Sequence, residues 1–244
     1  MKKLIPALCM LLVAAALLGT STYAWFSMNE TVTANSMSVK AATQAGIVIS
    51  NAAGGAYSAT AEAADKSVKS LTPGSTADLS TWYTSTSNDP AKANTGVAYT
   101  TATENTNYVK YSFFIRSSAA EALAVQSLDV TSVTVTSATQ HLSKALRVGV
   151  KIGTTTYIYA PVTGYTDSYS VDGAAAAVTP LASTTKSNCT TVTSLPANTA
   201  NGQQVDVYVW YEGEDAACIS NNLVADVETL AVSVVFGYTL PTGG

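Results

Sequence analysis

Charge is what this chain has least of. Its 244 residues include 12 Lys and Arg, 16 Asp and Glu and a single histidine, with a formal net charge of −4. No basic cluster occurs, so nothing is available to neutralise a phosphate backbone, and nucleic acid is excluded as a partner. The lone histidine, His141, leaves nucleophilic and metal chemistry without its usual parts. A serine or cysteine hydrolase would have to recruit it as general base, and no HExxH, CxxC, GxSxG or glycine-rich phosphate loop is present. The expectation is a protein that is not an enzyme and carries no cofactor. Long hydrophobic runs are scarce as well. The run from Leu4 to Leu18 is about 15 residues, short of the roughly 20 that span a bilayer, and nothing after Trp25 is more apolar.

What the chain has in quantity is Ser and Thr, 61 residues together, with 47% hydrophobic residues to build a core. Lys2 and Lys3 precede the Leu4–Leu18 run, and Thr22 and Ala24 place small residues at −3 and −1 of a cleavage site before Trp25. This pattern is that of a secretory signal peptide over residues 1–24, helical and removed on export by a signal peptidase. The mature chain is then expected to start at Trp25 and to be secreted, extracellular or at the cell surface.

Beyond the leader the legible periodicity is two. Leu146, Val148, Val150 and Ile152 alternate with polar or small residues, as do Val205, Val207, Val209 and Tyr211, then Leu230, Val232, Val234, Phe236 and Tyr238, and Val109, Tyr111, Phe113 and Ile115. Each predicts a strand with one buried face. In the last but one the alternate residues Ala231, Ser233, Val235 and Gly237 are small enough for that face to be covered too. The apolar phase switches between Leu128–Val130 and Val133–Val135, which predicts a β-bulge near Ser132. Gln44–Ser50 is a further strand, and Tyr157 and Tyr159 suggest a hairpin return after Gly153-Thr154-Thr155. Seven to nine strands rich in Val, Thr and Tyr predict an all-β fold, a jelly-roll-like antiparallel β-sandwich forming a single domain over residues 25–244.

Two stretches break the alternation. Residues 51–107 and 161–204 are rich in Ser, Thr, Ala, Gly and Asn, or punctuated by Pro and Gly, and are expected to run as long surface excursions that bury little. A short helix is expected within Thr60–Leu71. Cys189 and Cys218 are the only cysteines outside the leader, and in a secreted chain a disulfide is the economical expectation, with two buried thiols as the alternative. The acidic run Glu212, Glu214 and Asp215, with Asp226 and Glu228 beyond, supplies candidate oxygen ligands for Ca²⁺. The competing reading is a solvated turn. Asp167 with Asp172 is a second such site. Asn29 and Asn188 open glycosylation sequons.

The junction Thr22-Tyr23-Ala24-Trp25-Phe26-Ser27-Met28-Asn29, followed by Thr31-Val32-Thr33 and Met37-Ser38-Val39, resembles the TasA/camelysin family of secreted Gram-positive matrix proteins. The run from Val209 to Cys218 with the closing Leu230–Phe236 strand is similar to segments of proteins with that type of leader. The resemblance implies a jelly-roll subunit that assembles into extracellular fibres by donating its mature N-terminal segment to a neighbour. Its partners would then be copies of itself, with other matrix or cell-surface proteins beside them.

The residues allow the same idea independently, because an open sheet edge is satisfied by a strand from another chain. Trp25–Lys40 is the candidate donor strand, with Trp25, Phe26, Met28, Val32, Met37 and Val39 as anchors, and pairing within its own subunit is the alternative. The expected function is a secreted structural protein, a matrix or surface fibre subunit. The other function class is a monomeric β-sandwich module that binds carbohydrate or protein through aromatic residues such as Trp82, Tyr83 and Tyr99.

Overall fold

The computed structural model describes residues 32–33, 37–63, 70–85, 99–137, 145–160, 178–215, 218 and 230–242. Among these residues the chain is all-β. The signal peptide, Trp25, Phe26, Met28, His141, Asp167, Asp172, Asp226 and Glu228 lie outside them.

Two sheets dominate. The first contains β2 (Met37–Thr43), β4 (Thr60–Glu62), β10 (Ser127–Ser137), β14 (Ser187–Cys189) and β17 (Leu230–Thr239), in the order β14-β10-β17-β2-β4. The second contains β3 (Ile47–Ser50), β8 (Tyr108–Ser117), β11 (Leu146–Ile152), β12 (Thr155–Ala160), β13 (Leu181–Ala182) and β16 (Gln203–Tyr211), in the order β13-β12-β11-β16-β8-β3. Among the described residues three two-stranded ribbons accompany them: β1 (Val32–Thr33) with β5 (Ser70–Leu71), β6 (Tyr83–Ser85) with β7 (Tyr99–Thr101), and β9 (Leu123–Ala124) with β15 (Ser194–Leu195).

The predicted stripes form the core. Val109, Tyr111, Phe113 and Ile115 of β8, Val205, Val207, Val209 and Tyr211 of β16, and Leu146, Val148, Val150 and Ile152 of β11 are buried in one cluster with Leu128, Val130 and Val133 of β10 and Leu230, Val232, Val234 and Phe236 of β17. Alternation puts every second side chain on one face, and two such faces closing on each other make a β-sandwich-like arrangement. The bulge falls where the phase switch places it. Val130 pairs with Phe236 and Ser132 with Val235, so Thr131 is the extra residue, and its hydroxyl donates to the Val235 carbonyl at 3.0 Å. The hairpin after Ile152 also forms, with Ile152 opposite Thr155 and Gly153 at φ +60. That left-handed conformation is one glycine adopts without the cost a Cβ imposes.

Four expectations need correction. Thr60–Glu62 and Ser70–Leu71 are strands, not parts of a helix, because β2 and β1 offer their backbones ladder partners. The five-stranded sheet is not purely antiparallel, since β2 and β17 run parallel from Met37 opposite Leu230 to Thr43 opposite Phe236. On β17, Ala231 is exposed and Ser233 and Val235 are half-buried, so the small-residue face is not fully covered.

The last correction concerns the excursions. Within 51–107, Leu79, Trp82 and Ala102 join Ile158, Tyr208 and Trp210 in a second buried cluster on the outer face of the six-stranded sheet. Trp82 stacks on Tyr108 at 3.9 Å between ring centroids and meets Trp210 edge-on at 5.2 Å. Within 161–204, β14 is an edge strand that buries Ser187 and Cys189, while Val192 and Leu195 enter the main core.

Candidate functional site

Two places in the fold hold residues singled out by the sequence: the N-terminal strand β2 and the acidic turn after β16. In β2 the alternation Met37, Val39, Ala41 points inward and Ser38 and Lys40 point outward. The strand lies between β17 and β4, so both of its backbone edges are occupied. Of the candidate donor anchors, Met37 and Val39 are therefore core residues paired within their own chain. Val32 belongs to β1, opposite Leu71. After Thr43 the chain turns at once toward β3 in the other sheet, with the Gln44 amide bonded to the Phe236 carbonyl at 3.0 Å and Gly46 at φ +95. The N-terminal strand thus ends at a tight glycine turn.

Among the described residues the acidic turn is not solvated. Glu212, Glu214 and Asp215 are all buried, and so is Arg147 on the neighbouring strand β11. Arg147 and Asp215 form an ion pair, and the guanidinium also donates to the Leu146 carbonyl at 2.9 Å. The Glu212 carboxyl accepts from the Trp210 indole at 3.0 Å, from the Glu214 amide at 3.1 Å and from the Ser75 hydroxyl. Two backbone bonds of 3.0 Å lie beside these contacts, Gly74 N–H to the Tyr211 carbonyl and Gly213 N–H to the Gly74 carbonyl. The turn therefore fastens residues 72–76, the start of the covering segment, to the ends of β11 and β16.

Burial shifts the protonation of these groups. Desolvation pushes the Glu212 carboxyl up to about 8 against the Trp210 and Glu214 hydrogen bonds and the Arg147 charge, which all favour ionisation, while the Glu214 charge adds to the rise. The Cys218 thiol is raised by burial, then by the charges of Glu212 and Asp215. Burial likewise raises the Tyr159 hydroxyl to about 12, and its bond to Ser187 at 2.6 Å pulls the other way. No three His, Cys, Asp or Glu side chains among the described residues gather as a metal ion would require.

The expected disulfide is also corrected. Cys189 and Cys218 are both free and buried. Cys189 touches the Ile152 carbonyl at one end of β11. Cys218 donates its amide to Asp215 beside Arg147 at the other end. Five residues of strand, about 17 Å, separate those ends, and a disulfide needs Cα atoms within about 7 Å. Nor do the aromatic residues of a binding module stand open. Trp82 is buried in the second cluster, and Tyr83 and Tyr99 are half-buried in the β6–β7 ribbon. Asn188 of the second sequon is exposed on β14.

Sequence reasoning missed Arg147, Ser75 and the buried Asn107. Asn107 donates to the Thr72 and Pro73 carbonyls at 3.4 Å and to Thr84 Oγ1 at 3.2 Å, and accepts from the Thr103 amide at 2.8 Å. It closes the base of the covering segment. Gly149, on the same face of β11 as Arg147, was the available signal. A Cβ there would lie 2.5 Å from Leu79 Cδ2, so the glycine marks a sheet face that something covers closely. No protein-family model matches the chain, and comparison with curated proteins and with solved structures finds no similar one.

Proposed function

We propose that this chain is a secreted structural protein, a jelly-roll subunit of extracellular matrix or surface fibres that assembles by exchanging its N-terminal strand. One observation carries the reading. Strand β2, the first strand of the five-stranded sheet in chain order, lies parallel to the C-terminal strand β17 and buries Met37, Val39 and Ala41 between the sheets. A terminal strand of this kind makes the same contacts whether it comes from its own chain or from a neighbour, and that equivalence makes exchange inexpensive. The turn at Gln44–Gly46 would be the hinge. The segment ahead of β2 adds Trp25, Phe26 and Met28 as further apolar anchors, and the resemblance of the leader junction to the TasA/camelysin family points the same way.

In this reading the signal peptidase cuts after Ala24, the mature chain acts outside the cell, and its partners are copies of itself. Removing Trp25–Thr43 from the mature chain leaves the β8, β10, β11, β16 and β17 stripes in place but opens the slot beside β17. The truncated protein should form no fibres by negative-stain microscopy. A peptide spanning Trp25–Thr43 should raise its melting temperature, because a ligand bound only by the folded state stabilises that state by mass action. Fibres from the truncated protein would refute the proposal.

A further inference from the structure

Moving β2 from its own subunit into the equivalent slot of a neighbour leaves the contacts of that strand unchanged, since both slots are built from the same sequence. The seam with β17, the ladder with β4 and the burial of Met37, Val39 and Ala41 cancel between the two forms. What does not cancel is the connection to β3, because only the closed form must reverse the chain there. That connection is short and held at both ends. At one end the Gln44 amide donates to the Phe236 carbonyl at 3.0 Å, extending the β2–β17 seam. At the other the Gly46 carbonyl accepts from the Ser118 amide at 3.0 Å and from the Ser118 hydroxyl at 3.1 Å, continuing the β3–β8 ladder past Ile47 opposite Ser117. The torsions of Gln44, Ala45 and Gly46 between those anchors make the whole reversal, and Gly46 takes φ +95. A Cβ there would lie 2.6 Å from the Tyr238 hydroxyl oxygen.

We propose that Gly46 sets the balance between the closed subunit and the strand-exchanged assembly, an inference that rests on the exchange of β2. Its left-handed backbone makes the closed turn. An exchanged chain crosses to its neighbour with that turn opened and needs no such conformation. A side chain at position 46 therefore penalises the closed form alone, through the torsional cost of a positive φ and through the collision with Tyr238, and shifts the balance toward assembly. The glycine keeps β2 in its own subunit.

The test reads the protein concentration at which covalent multimers appear. It uses the mature chain with Cys189 and Cys218 replaced by Ala and with Ser38→Cys and Ala231→Cys, which face each other across the β2–β17 seam and join two chains where the strand is exchanged. Gly46→Ala should lower that concentration about tenfold. In a turn lengthened by two glycines between Ala45 and Gly46 the same substitution should have no effect, because the reversal no longer rests on one torsion. Multimers at the same concentration in the parent and in Gly46→Ala, or an equal effect of Gly46→Ala in both turns, overturn the role of Gly46 and leave strand exchange standing. Internally linked monomer at every concentration in both chains overturns the exchange as well. Should Gly46→Ala fail to fold, Gly46→Ala with Tyr238→Phe, which removes the collision and keeps the torsional cost, takes its place. A lowered concentration then supports the proposal and an unchanged one overturns it.

Discussion

Val39 and Val232 lie side by side in a parallel ladder, in a sheet whose other pairings are all antiparallel. Both are sealed from solvent, so the N-terminal and C-terminal strands share one apolar seam. Val39→Ala removes two methyl groups from it and should cost about 2 kcal/mol, the transfer loss plus a small cavity. Denaturant unfolding measures this. A cost near zero would mean that β2 contributes little to the subunit that holds it.

Stability should fall with rising pH through Glu212. Unfolded, its carboxyl releases its proton near 4.5, and folded it holds the proton to about 8. Between those values the folded state binds more protons, so the stability is fully present below about pH 4.5 and is lost as pH climbs toward 8. Guanidinium unfolding at pH 5 and pH 9 should differ by up to about 4 kcal/mol, and Glu212→Gln should remove most of that difference.

Asp215→Asn should be far more damaging than a surface substitution. Arg147 is wholly buried and Asp215 nearly so, and breaking a desolvated ion pair by removing one partner costs about 3–5 kcal/mol. Denaturant unfolding of Asp215→Asn measures this. A loss below about 1 kcal/mol would mean that the pair contributes no more than an exposed one.

Cys189 and Cys218 should behave as buried thiols. The folded mature protein should resist alkylation under oxidising conditions and take up two labels once denatured, as read by intact mass. A mass two hydrogens lighter, with no labelling after denaturation, would restore the disulfide.

The legible part of the fold was the part governed by period two. The stripes of β8, β11, β16 and β17, the bulge at Thr131 and the hairpin at Gly153 follow from alternation and from a single glycine. Alternation does not say which strand is the neighbour, so the parallel seating of β2 on β17 was invisible. The covering segment was misjudged because Leu79, Trp82 and Ala102 stand alone in a polar run, and only their meeting with Tyr208 and Trp210 makes a cluster. The Glu212 turn looked solvated for a related reason. Neighbouring acids in sequence usually face water, and Arg147, the cation that allows Asp215 to be buried, is 68 residues away.

The exchange of β2 between subunits is tested most directly by cross-linking the seam itself. Ser38 and Ala231 are opposite one another in the β2–β17 register and both are exposed. In the mature chain with Cys189 and Cys218 replaced by Ala, Ser38→Cys and Ala231→Cys should be joined by oxidation or a short bis-maleimide, and the product run on a denaturing gel. Strand exchange predicts a ladder of covalent multimers from the assembled material. Monomer alone, internally linked, would show that β2 stays at home and would contradict the account.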